Sequence, residues 1–407
     1  MDTSVLDFEE ALTLLLSHAV QVSAAEVKRV DLLAARGRVL AADVVADRDQ
    51  PPFDRSTRDG FAVRAEELKT VGTLKIIGLL RAGDRWTGET PARGSAIEIM
   101  TGAGVPHGMN AVLMVEHGEL LDGSVRILEG RSLRAGENIV AQGSEAKARE
   151  VVLPAGLLIG VAEIALAAAC GESALSVFRR PRIAIVATGD ELVELDQTPE
   201  PQQIRNSNSY ALAALVAAAG GEAVRMPTAP DRSDALRAII EEARGSDLLV
   251  LTGGISMGKF DLVEEVLNSL GAEFFFTGVR MQPGKPVVFG RLPATERFTA
   301  QYFFGLPGNP ISTQVTFHIF VEPMVRALCG MVSDGPQFVQ ATLAEDVPGK
   351  PGLTRLLPAR LAGVTVKLVG WQGSGDLAAN ARANCYALLP ADRESFRAGE
   401  VIRILLQ

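Results

Sequence analysis

Between residues 180 and 330, strand-like apolar runs alternate with segments of helical periodicity, and this alternation constrains the fold more than any other feature of the chain. The apolar runs lie at residues 183–187, 223–226, 248–251, 287–289 and 302–304, and the helix-like segments lie at 209–219, 232–243 and 261–270, followed by a long closing helix. Alternating strands and helices predict a doubly wound, mostly parallel α/β sheet.

Three polar, glycine-bearing segments each follow a predicted strand of this unit. They are residues 188–191 (Thr-Gly-Asp-Glu), 252–258 (Thr-Gly-Gly-Ile-Ser-Met-Gly) and 306–310 (Leu-Pro-Gly-Asn-Pro). In an open parallel sheet, the loops at the carboxyl ends of the strands gather along one edge, where ligands bind. A tight turn between a strand and a helix explains any one segment, but the three together indicate a ligand crevice.

The second and third segments suit an anionic ligand. Glycines let backbone N–H groups approach phosphate oxygens that side chains would obstruct, although the Lys-Ser/Thr pair of a P-loop is absent after Gly258. Asn309 and Pro310 fit the N-cap and the first turn of a helix, whose N-terminus attracts anions. These two segments therefore predict a site for phosphate.

Acidic and basic side chains accompany these loops. Asp190 and Glu191 are adjacent, and Asp261 comes just after the glycine loop, so the three predict a Mg²⁺ site beside the phosphate. Helix capping by Asp190 or Asp261 is the alternative. Prolines on both sides hold Lys285 for an oxyanion, unless it is a plain surface lysine. Composition and spacing thus indicate a Mg²⁺-dependent enzyme acting on a nucleotide or another phosphorylated ligand.

The chain outside this unit divides into further regions. We predict a helix over residues 8–20 with Asp7 as its N-cap, a second helix over 31–40, and a return to helix over 151–170. The predicted domains are residues 1–52 with 144–179 as a discontinuous helical domain, 53–143 as a β-rich insert, 180–330 as the α/β domain and 331–407 as a β-barrel-like C-terminal domain. The fold class is therefore α/β multidomain.

Charge and composition exclude some classes of protein. The formal charge of −9 argues against a nucleic-acid partner, since phosphate neutralisation needs a basic face. The three cysteines are far apart, which fits a reducing compartment. The acidic start does not resemble a signal peptide, and the longest apolar stretch, 157–170, is too short to span a membrane and suggests a buried helix. We expect a cytoplasmic protein.

Six motifs occur in a fixed order along the whole chain: Ser-x-x-Asp-Gly-Phe-Ala (56–62), Met-Thr-Gly-Ala (100–103), Thr-Gly-Asp-Glu (188–191), Gly-Gly-Ile-Ser-Met-Gly-x-x-Asp (253–261), Pro-Gly-Lys-Pro (283–286) and Leu-Pro-Gly-Asn-Pro (306–310). In this order they resemble the molybdopterin molybdenumtransferases, a family that includes bacterial enzymes and the C-terminal domain of gephyrin. The resemblance implies four domains, a molybdopterin-binding α/β domain among them, and an elongated homodimer.

The resemblance also implies a reaction. Adenylylated molybdopterin, molybdate and Mg²⁺ would yield molybdenum cofactor and AMP, and the molybdopterin adenylyltransferase is a candidate partner. In the family, the α/β domain of one subunit and the insert of the other form the site, so Asp59 and Thr101 would reach the partner's crevice. Composition alone suggests plain turns at both residues.

By the same resemblance, the site residues divide into two groups. The catalytic and metal-binding group is Asp59, Thr101, Asp190, Glu191, Asp231, Asp261 and Lys285, with Mg²⁺ on Asp190, Glu191 and Asp261. The substrate-binding group is Ser207, Asn208, Gly253, Gly254, Ser256, Gly258, Pro307, Gly308, Asn309 and Pro310, with Ser312, Arg355 and Ser374 for molybdate. Gln282 and Arg232 depart from the family pattern, because a basic and an acidic residue are frequent there.

Two other functions compete with this interpretation. A non-catalytic scaffold would not need Asp59, Asp190, Glu191 and Asp261 to cluster across a dimer. An enzyme that adenylylates molybdopterin would resemble the family only in the α/β domain and would turn over ATP. Tungstate in place of molybdate is a further variant, since the two oxyanions share charge and nearly share size.

Overall fold

The computed structural model describes residues 5–254, 262–332 and 335–407. Its central sheet has six strands, in the spatial order Glu222–Arg225, Arg182–Ala187, Leu248–Thr252, Gln301–Leu306, Val288–Leu292 and Glu273–Phe276. The first four are parallel and the last two are antiparallel to their neighbours. The mostly parallel sheet that the alternating pattern predicts is confirmed.

Both faces of this sheet are covered, because successive residues of a strand point to opposite faces. Ile183 and Ile185 belong to a core shared with the helices Phe8–Ala19 and Ser207–Ala218. Ala184 and Val186 belong to a second core, which contains apolar residues of Ser233–Ala243. Helix Leu262–Ser269 also belongs to this unit. Three consecutive helical segments close it: Pro310–Thr316, the π-helical turn Phe317–Val321 and Glu322–Leu328. The sheet is therefore doubly wound.

The first residues of the described chain join distant elements. Strand Val5–Leu6 pairs with Gly278–Val279 in parallel, and helix Phe8–Ala19 begins after Asp7 as predicted. The Glu10 carboxylate accepts a hydrogen bond of 3.1 Å from the Asp7 N–H, which satisfies a donor at the helix start.

Two helix predictions in the discontinuous region are wrong. Over 31–40 the chain forms only the 3₁₀ turn Leu32–Ala35, which follows strand Val27–Asp31. That strand pairs with Ala174–Phe178, a partner more than 140 residues away, and a local pattern does not reveal such pairing.

Residues 151–170 were also predicted to be helical throughout. They begin with strand Val151–Leu153, paired with Val44–Val45, and the helix is limited to Val161–Ala169. Only Ala167 of this helix is buried, so the expected buried helix is a mostly exposed one. The helix is apolar in sequence, but apolar side chains are also common on protein surfaces, so an apolar run does not by itself require a buried helix.

The β-rich insert and the C-terminal region each form a separate sheet. The insert has the order Ala111–Met114, Gly60–Val63, Ser95–Ile99, Thr73–Leu80, Ser124–Ile127 and Gly118–Leu121, with Glu67–Thr70 and Val115–His117 as short helical turns. The C-terminal strands Thr354–Ala362, Thr365–Leu368, Phe338–Leu343, Val401–Leu406 and Cys385–Leu389 close on one another, since the last pairs with the first. This closed five-stranded barrel confirms the β-barrel-like prediction.

Short elements complete the description. Two-residue strands pair as Arg55–Ser56 with Ile139–Val140, Leu192–Val193 with Ile204–Arg205, Val347–Pro348 with Ser395–Phe396, and Met281–Gln282 with the start of Thr354–Ala362; the last helix is Leu377–Arg382. Cys170, Cys329 and Cys385 are buried free thiols. No helix within the described residues is long and apolar enough to cross a bilayer.

Candidate active site at the carboxyl ends of the central strands

Three loops lie side by side where the parallel strands end. The Thr188 N–H donates a hydrogen bond of 3.0 Å to the carbonyl oxygen of Thr252, and Thr252 pairs in register with Leu306. The Asn208 Nδ2 donates to the Thr252 hydroxyl at 3.2 Å and to the Gly308 carbonyl oxygen at 2.7 Å. The three glycine-bearing segments thus line one crevice in their described parts, and Asn208 links two of them.

Two glycines at this crevice have a backbone that other residues adopt only with strain. Gly253 has a φ of +87°, and a Cβ added there would overlap the carbonyl oxygen of Thr188. Gly254 has a φ of +60°, and its Cβ would lie 2.9 Å from the Thr188 Cγ2. Glycine is therefore required for the close approach of the second loop to the first.

Asp190 and Asp231 form a linked acidic pair at the rim. The Asp231 N–H donates to the Asp190 Oδ1 at 3.0 Å, and the Thr188 hydroxyl donates to the Asp231 Oδ1 at 2.9 Å. Asp190, Glu191 and Asp231 are all exposed. Asp190 precedes strand Leu192–Val193 rather than a helix, so the capping alternative does not apply to it. Asp190 and Asp231 are thus held in place at the crevice, and the exposed oxygens of the three carboxylates are accessible to a ligand.

The helix Ser207–Ala218 starts at the same crevice. Its N-cap is Asn206, whose side-chain oxygen accepts from the Ser209 N–H at 3.1 Å and whose Nδ2 donates to the Thr228 hydroxyl at 3.1 Å. Asn206 is buried, while Ser207 and Asn208 are half-buried. The cap fixes the first turn, and this turn presents Asn208 to the two loops that it bonds.

The third segment opens a helix, but its cap differs from the predicted one. Asn309 occupies the N-cap position and Pro310 the first turn, yet the Asn309 side chain makes no capping bond. The Ile311 N–H instead donates to the carbonyl oxygen of Ser374 at 2.9 Å. A loop of the C-terminal region therefore satisfies part of the helix start, and Ser374 contacts the residue that precedes the buried Ser312.

The loop that carries Lys285 lies beside this helix. A Cβ on Gly284 (φ +106°) would lie 2.5 Å from the Thr316 Cγ2, so the loop packs on the last residue of helix Pro310–Thr316. The Lys285 carbonyl oxygen accepts from the Val279 N–H at 2.9 Å, while the Lys285 side chain is exposed. The backbone at Lys285 is fixed, as its two prolines predict.

Arg355 lies on the barrel strand that pairs with this loop. Its register partner is Gln282, three residues before Lys285. One guanidinium nitrogen donates to the Pro348 carbonyl oxygen at 2.8 Å, and burial lowers the pKa of the group. The Arg355 Nε is buried and has no hydrogen-bond partner within the described chain. An unsatisfied buried donor of this kind favours a ligand oxygen.

Comparisons with known proteins agree along the whole length. Residues 6–171 match the MoeA N-terminal region (domain I and II), 184–327 match a probable molybdopterin binding domain, and 340–406 match the MoeA C-terminal region (domain IV). The molybdopterin molybdenumtransferase of Staphylococcus aureus (strain COL) is 35% identical over 90% of this chain and 88% of its own. The chain belongs to the molybdopterin molybdenumtransferase family. It is accordingly a transferase of molybdenum cofactor biosynthesis.

Other members of the family show similar coverage. The molybdopterin molybdenumtransferase of Staphylococcus epidermidis (strain ATCC 12228 / FDA PCI 1200) is 33% identical over 98% of this chain and 95% of its own. The crystal structure of the molybdopterin biosynthesis MoeA protein from Pyrococcus horikoshii OT3 aligns with a TM-score of 0.83, at 29% identity, over 99% of this chain and all of that one. The fold and the family therefore agree.

Asp59 and Thr101, which only the family resemblance singles out, contact each other in the insert. The Asp59 Oδ1 accepts from the Thr101 N–H at 2.6 Å and from the Thr101 hydroxyl at 2.8 Å. These two bonds, the backbone bond more strongly, lower the pKa of the exposed Asp59 carboxyl. Within the described chain, neither residue is hydrogen-bonded to the crevice. The structure thus forms the pair but does not join it to the crevice within the described chain.

Part of the predicted site falls outside the described residues. Ser256, Gly258 and Asp261 lie there, so the structure says nothing about them. In the described part, no three histidine, cysteine or acidic side chains are grouped closely enough to hold a metal ion. Asp190 and Glu191 remain as the described members of the predicted Mg²⁺ set.

The two departures from the family pattern have structural partners. Arg232 forms an ion pair of 2.6 Å with Asp234, two residues along. The neighbouring Asp231 accepts its hydrogen bond from the Thr188 hydroxyl instead. Gln282 pairs through its backbone with Arg355. Sequence reasoning missed Asn206, although an asparagine directly before a helix is an N-cap signal.

Proposed function

We propose that this transferase inserts molybdate into adenylylated molybdopterin, with Mg²⁺, and releases AMP and molybdenum cofactor. The observation that carries the proposal is the single crevice formed by the three loops, with Asn208 bonded to both Thr252 and Gly308. Ligands of parallel sheets bind at such crevices. The family and its named relatives supply the substrate class.

The crevice has separate places for a polyphosphate and for an oxyanion. Gly253 and Gly254, at positive φ, expose backbone next to Thr188, where a pyrophosphate can approach without meeting side chains. The loop of Lys285 and the barrel strand of Arg355 are neighbours in the sheet register. Their positive charges, the unsatisfied Arg355 Nε and the nearby Ser312 and Ser374 suit the doubly negative molybdate.

The donors present fit Mg²⁺. Asp190 and Glu191 are exposed carboxylates at the crevice, and with Asp261 they would hold the ion. Mg²⁺ commonly binds one or two carboxylates plus substrate phosphates, so a complete protein cage is not needed. When bound, it would supply positive charge to the leaving phosphate. The chain itself holds Asp190 through the Asp231 N–H and orients the phosphate with backbone groups.

The decisive measurement is AMP release from adenylylated molybdopterin with Mg²⁺, with and without molybdate. We expect molybdate-dependent release that falls at least about tenfold in Asp190→Asn, because a metal ligand is lost. Asp196→Asn is the matched control, since Asp196 is an exposed carboxylate of the following loop. Folded protein that binds molybdopterin without releasing AMP would contradict the proposal and favour a scaffold.

We propose in addition that the active form is a homodimer in which Asp59 and Thr101 complete the partner's crevice. The exposure of this pair and its separation from the crevice within one subunit support the arrangement. Subunits carrying Asp59→Asn and Asp190→Asn can be mixed and allowed to exchange. Each variant should be impaired alone, and the mixture should recover part of the activity, because one site per mixed dimer is intact. No recovery on verified exchange would contradict it.

A further inference from the structure

A second cavity lies at the opposite edge of the central sheet, where the parallel strands begin. It encloses about 170 Å³. Its lining residues come from five separate segments of the chain, and its arginines lie in three of them: Arg38, Arg179 with Arg180, and Arg326. Strand Arg182–Ala187 starts next to it and ends directly before Thr188, and a strand of six residues spans about 20 Å. The cavity is therefore separate from the crevice.

Four arginines line this arginine cavity, and none of its lining residues is a carboxylate. Two of them have carboxylate partners outside the lining. Arg179 binds both oxygens of Asp247 at 2.7 Å, and Arg326 pairs with Glu322. Arg38 and Arg180 form no ion pair with any described residue. Arg38 and Arg180 thus face the cavity without an ion-pair partner, although both also line an adjoining cavity that contains Glu26, Glu222 and Asp247.

The two unpaired arginines repel each other. Arg38 is half-buried, and its Nη2 donates to the Phe178 carbonyl oxygen at 2.9 Å, which holds the guanidinium in place. Burial and then the charge of Arg180 lower the pKa of Arg38. Unlike a surface arginine, Arg38 cannot avoid this repulsion by turning into solvent without losing the bond to Phe178. The arrangement is costly unless an anion is present.

The ends of two helices provide only part of the missing negative charge. Helices Ser207–Ala218 and Glu322–Leu328 both end at the cavity, where Ala219 and Cys329 follow them. A helix C-terminus is equivalent to roughly −0.5 elementary charge, so two of them offset about one of the two unpaired positive charges. The helix ends alone therefore do not neutralise both guanidinium groups.

We propose that the arginine cavity binds a phosphate-type oxyanion and so joins the N-terminal segment to the α/β domain. Guanidinium groups bind phosphate oxygens through paired N–H donors, and Arg38, Arg180 and Arg326 bring such donors from three parts of the chain. The ligand is inorganic phosphate or the phosphate group of a mononucleotide. This site lies across the sheet from the crevice and does not depend on the insertion reaction.

The test is thermal unfolding of the full chain, without molybdopterin, in phosphate and in chloride at equal ionic strength. A ligand that binds only the folded state raises the unfolding midpoint with concentration, which gives an apparent Kd. We expect the apparent Kd for phosphate to rise at least about tenfold in Arg180→Gln and in Arg38→Gln, since each loses a charged donor. Arg180 is exposed and forms no structural bond, so its variant should fold.

Arg36→Gln is the matched control, because Arg36 is an exposed arginine two residues from Arg38 that does not line the cavity. It should keep the phosphate response of the wild type. Phosphate also stabilises proteins by exclusion from their surface, and this effect persists in every variant. Equal responses of the wild type and Arg180→Gln would therefore overturn the proposal.

Adenosine monophosphate distinguishes the two sources of the ligand. The relevant Kd is that of the stabilisation that Arg180→Gln weakens. If this Kd is clearly lower for adenosine monophosphate than for inorganic phosphate, the cavity binds a mononucleotide. If the two Kd values are equal, the phosphate group alone is recognised. The measurement should be repeated in Asp190→Asn, where binding at the arginine cavity is unchanged even if the insertion reaction is lost.

Discussion

The two edges of the central sheet differ in their charged groups, although the same strands connect them. The carboxyl edge presents exposed Asp190, Glu191 and Asp231 together with glycine backbone. The amino edge presents Arg38 and Arg180, which form no ion pair within the described chain, beside the ion pair of Arg179 and Asp247. An anionic substrate at the carboxyl edge needs a cation between it and the carboxylates, whereas an oxyanion at the amino edge can bind directly. The sheet can thus support two kinds of anion site.

The edges also differ in how they are built. Strand ends and tight loops create the carboxyl edge, so its residues follow predicted strands in the sequence. Five segments that are separated along the chain line the arginine cavity. Substitutions that change one edge at a time test this contrast.

We expect the largest effect from Gly253→Ala. The added Cβ would overlap the Thr188 carbonyl oxygen, and the φ of +87° disfavours alanine. Together these effects should lower the free energy of unfolding by about 3 kcal/mol. Urea denaturation measures the loss. Gly245→Ala at the amino edge is the control, because its Cβ meets nothing within 4 Å, and the two edges would not differ as described if both variants lost equal stability.

A smaller loss should follow Asp247→Asn at the amino edge. This change removes the carboxylate that binds Arg179 through two oxygens and should lower the free energy of unfolding by about 2 kcal/mol. Phosphate binding at the arginine cavity should not weaken, because the positive charge of Arg179 would no longer be neutralised by a carboxylate. Unfolding in urea and the phosphate titration measure the two effects, and a weaker phosphate response would show that Asp247 orients the cavity.

The same carboxylate makes stability depend on pH. Burial raises the pKa of Asp247, but the hydrogen bonds and charge of Arg179 and the Arg182 N–H outweigh it, and the net pKa is lowered. Its contribution is therefore complete above the unfolded pKa of about 3.9 and is lost as pH falls through the lower folded pKa. The wild type should lose more stability than Asp247→Asn between pH 5 and the acid limit of folding, and parallel curves would refute the assignment.

Asn208→Ala should have a moderate effect at the carboxyl edge. The change removes the hydrogen bonds to the Thr252 hydroxyl and the Gly308 carbonyl oxygen and should cost about 1 kcal/mol in stability. Because it separates two loops of the crevice, the KM for adenylylated molybdopterin should rise. Asn268→Ala, at an exposed helical asparagine, should change neither quantity. An unchanged KM in Asn208→Ala would show that the loops keep their positions without this link.

The smallest effect concerns the insert. In Thr101→Val the Asp59 carboxyl loses the hydroxyl donor but keeps the stronger backbone N–H bond. Its pKa should rise only part of the way toward the ordinary aspartate value near 3.9. Carboxyl carbon NMR across the titration measures this. A full return to the ordinary value would mean that the backbone bond does not form without the hydroxyl group.

The sequence predicts the central sheet and the placement of its loops well. Apolar runs between helix-like segments identify the parallel strands, and glycines at 253 and 254 mark the loop whose backbone needs a positive φ. Local patterns suffice there, because buried parallel strands are continuous apolar runs. The family motifs added the roles of Asp59 and Thr101, which remain predictions.

Prediction fails where a partner distant in the chain decides the structure. Residues 27–31 form a strand because 174–178 are beside them, and the predicted helix over 31–40 is reduced to one 3₁₀ turn. The N–H at the start of helix Pro310–Thr316 is bonded by the Ser374 carbonyl oxygen rather than by Asn309. In both cases long-range hydrogen bonds override local propensity.

The sequence by itself therefore determined the succession of strands and helices in the α/β domain, the positions of the loop glycines and the acidic residues that follow the strands, since local patterns carry each of them. Only the tertiary structure decided that Asp231 holds Asp190, that Asn208 joins two loops, and that Arg38 and Arg180 share a cavity. These contacts bridge 40 to 140 residues of chain. Packing of the complete core, rather than any local preference, brings such residues together.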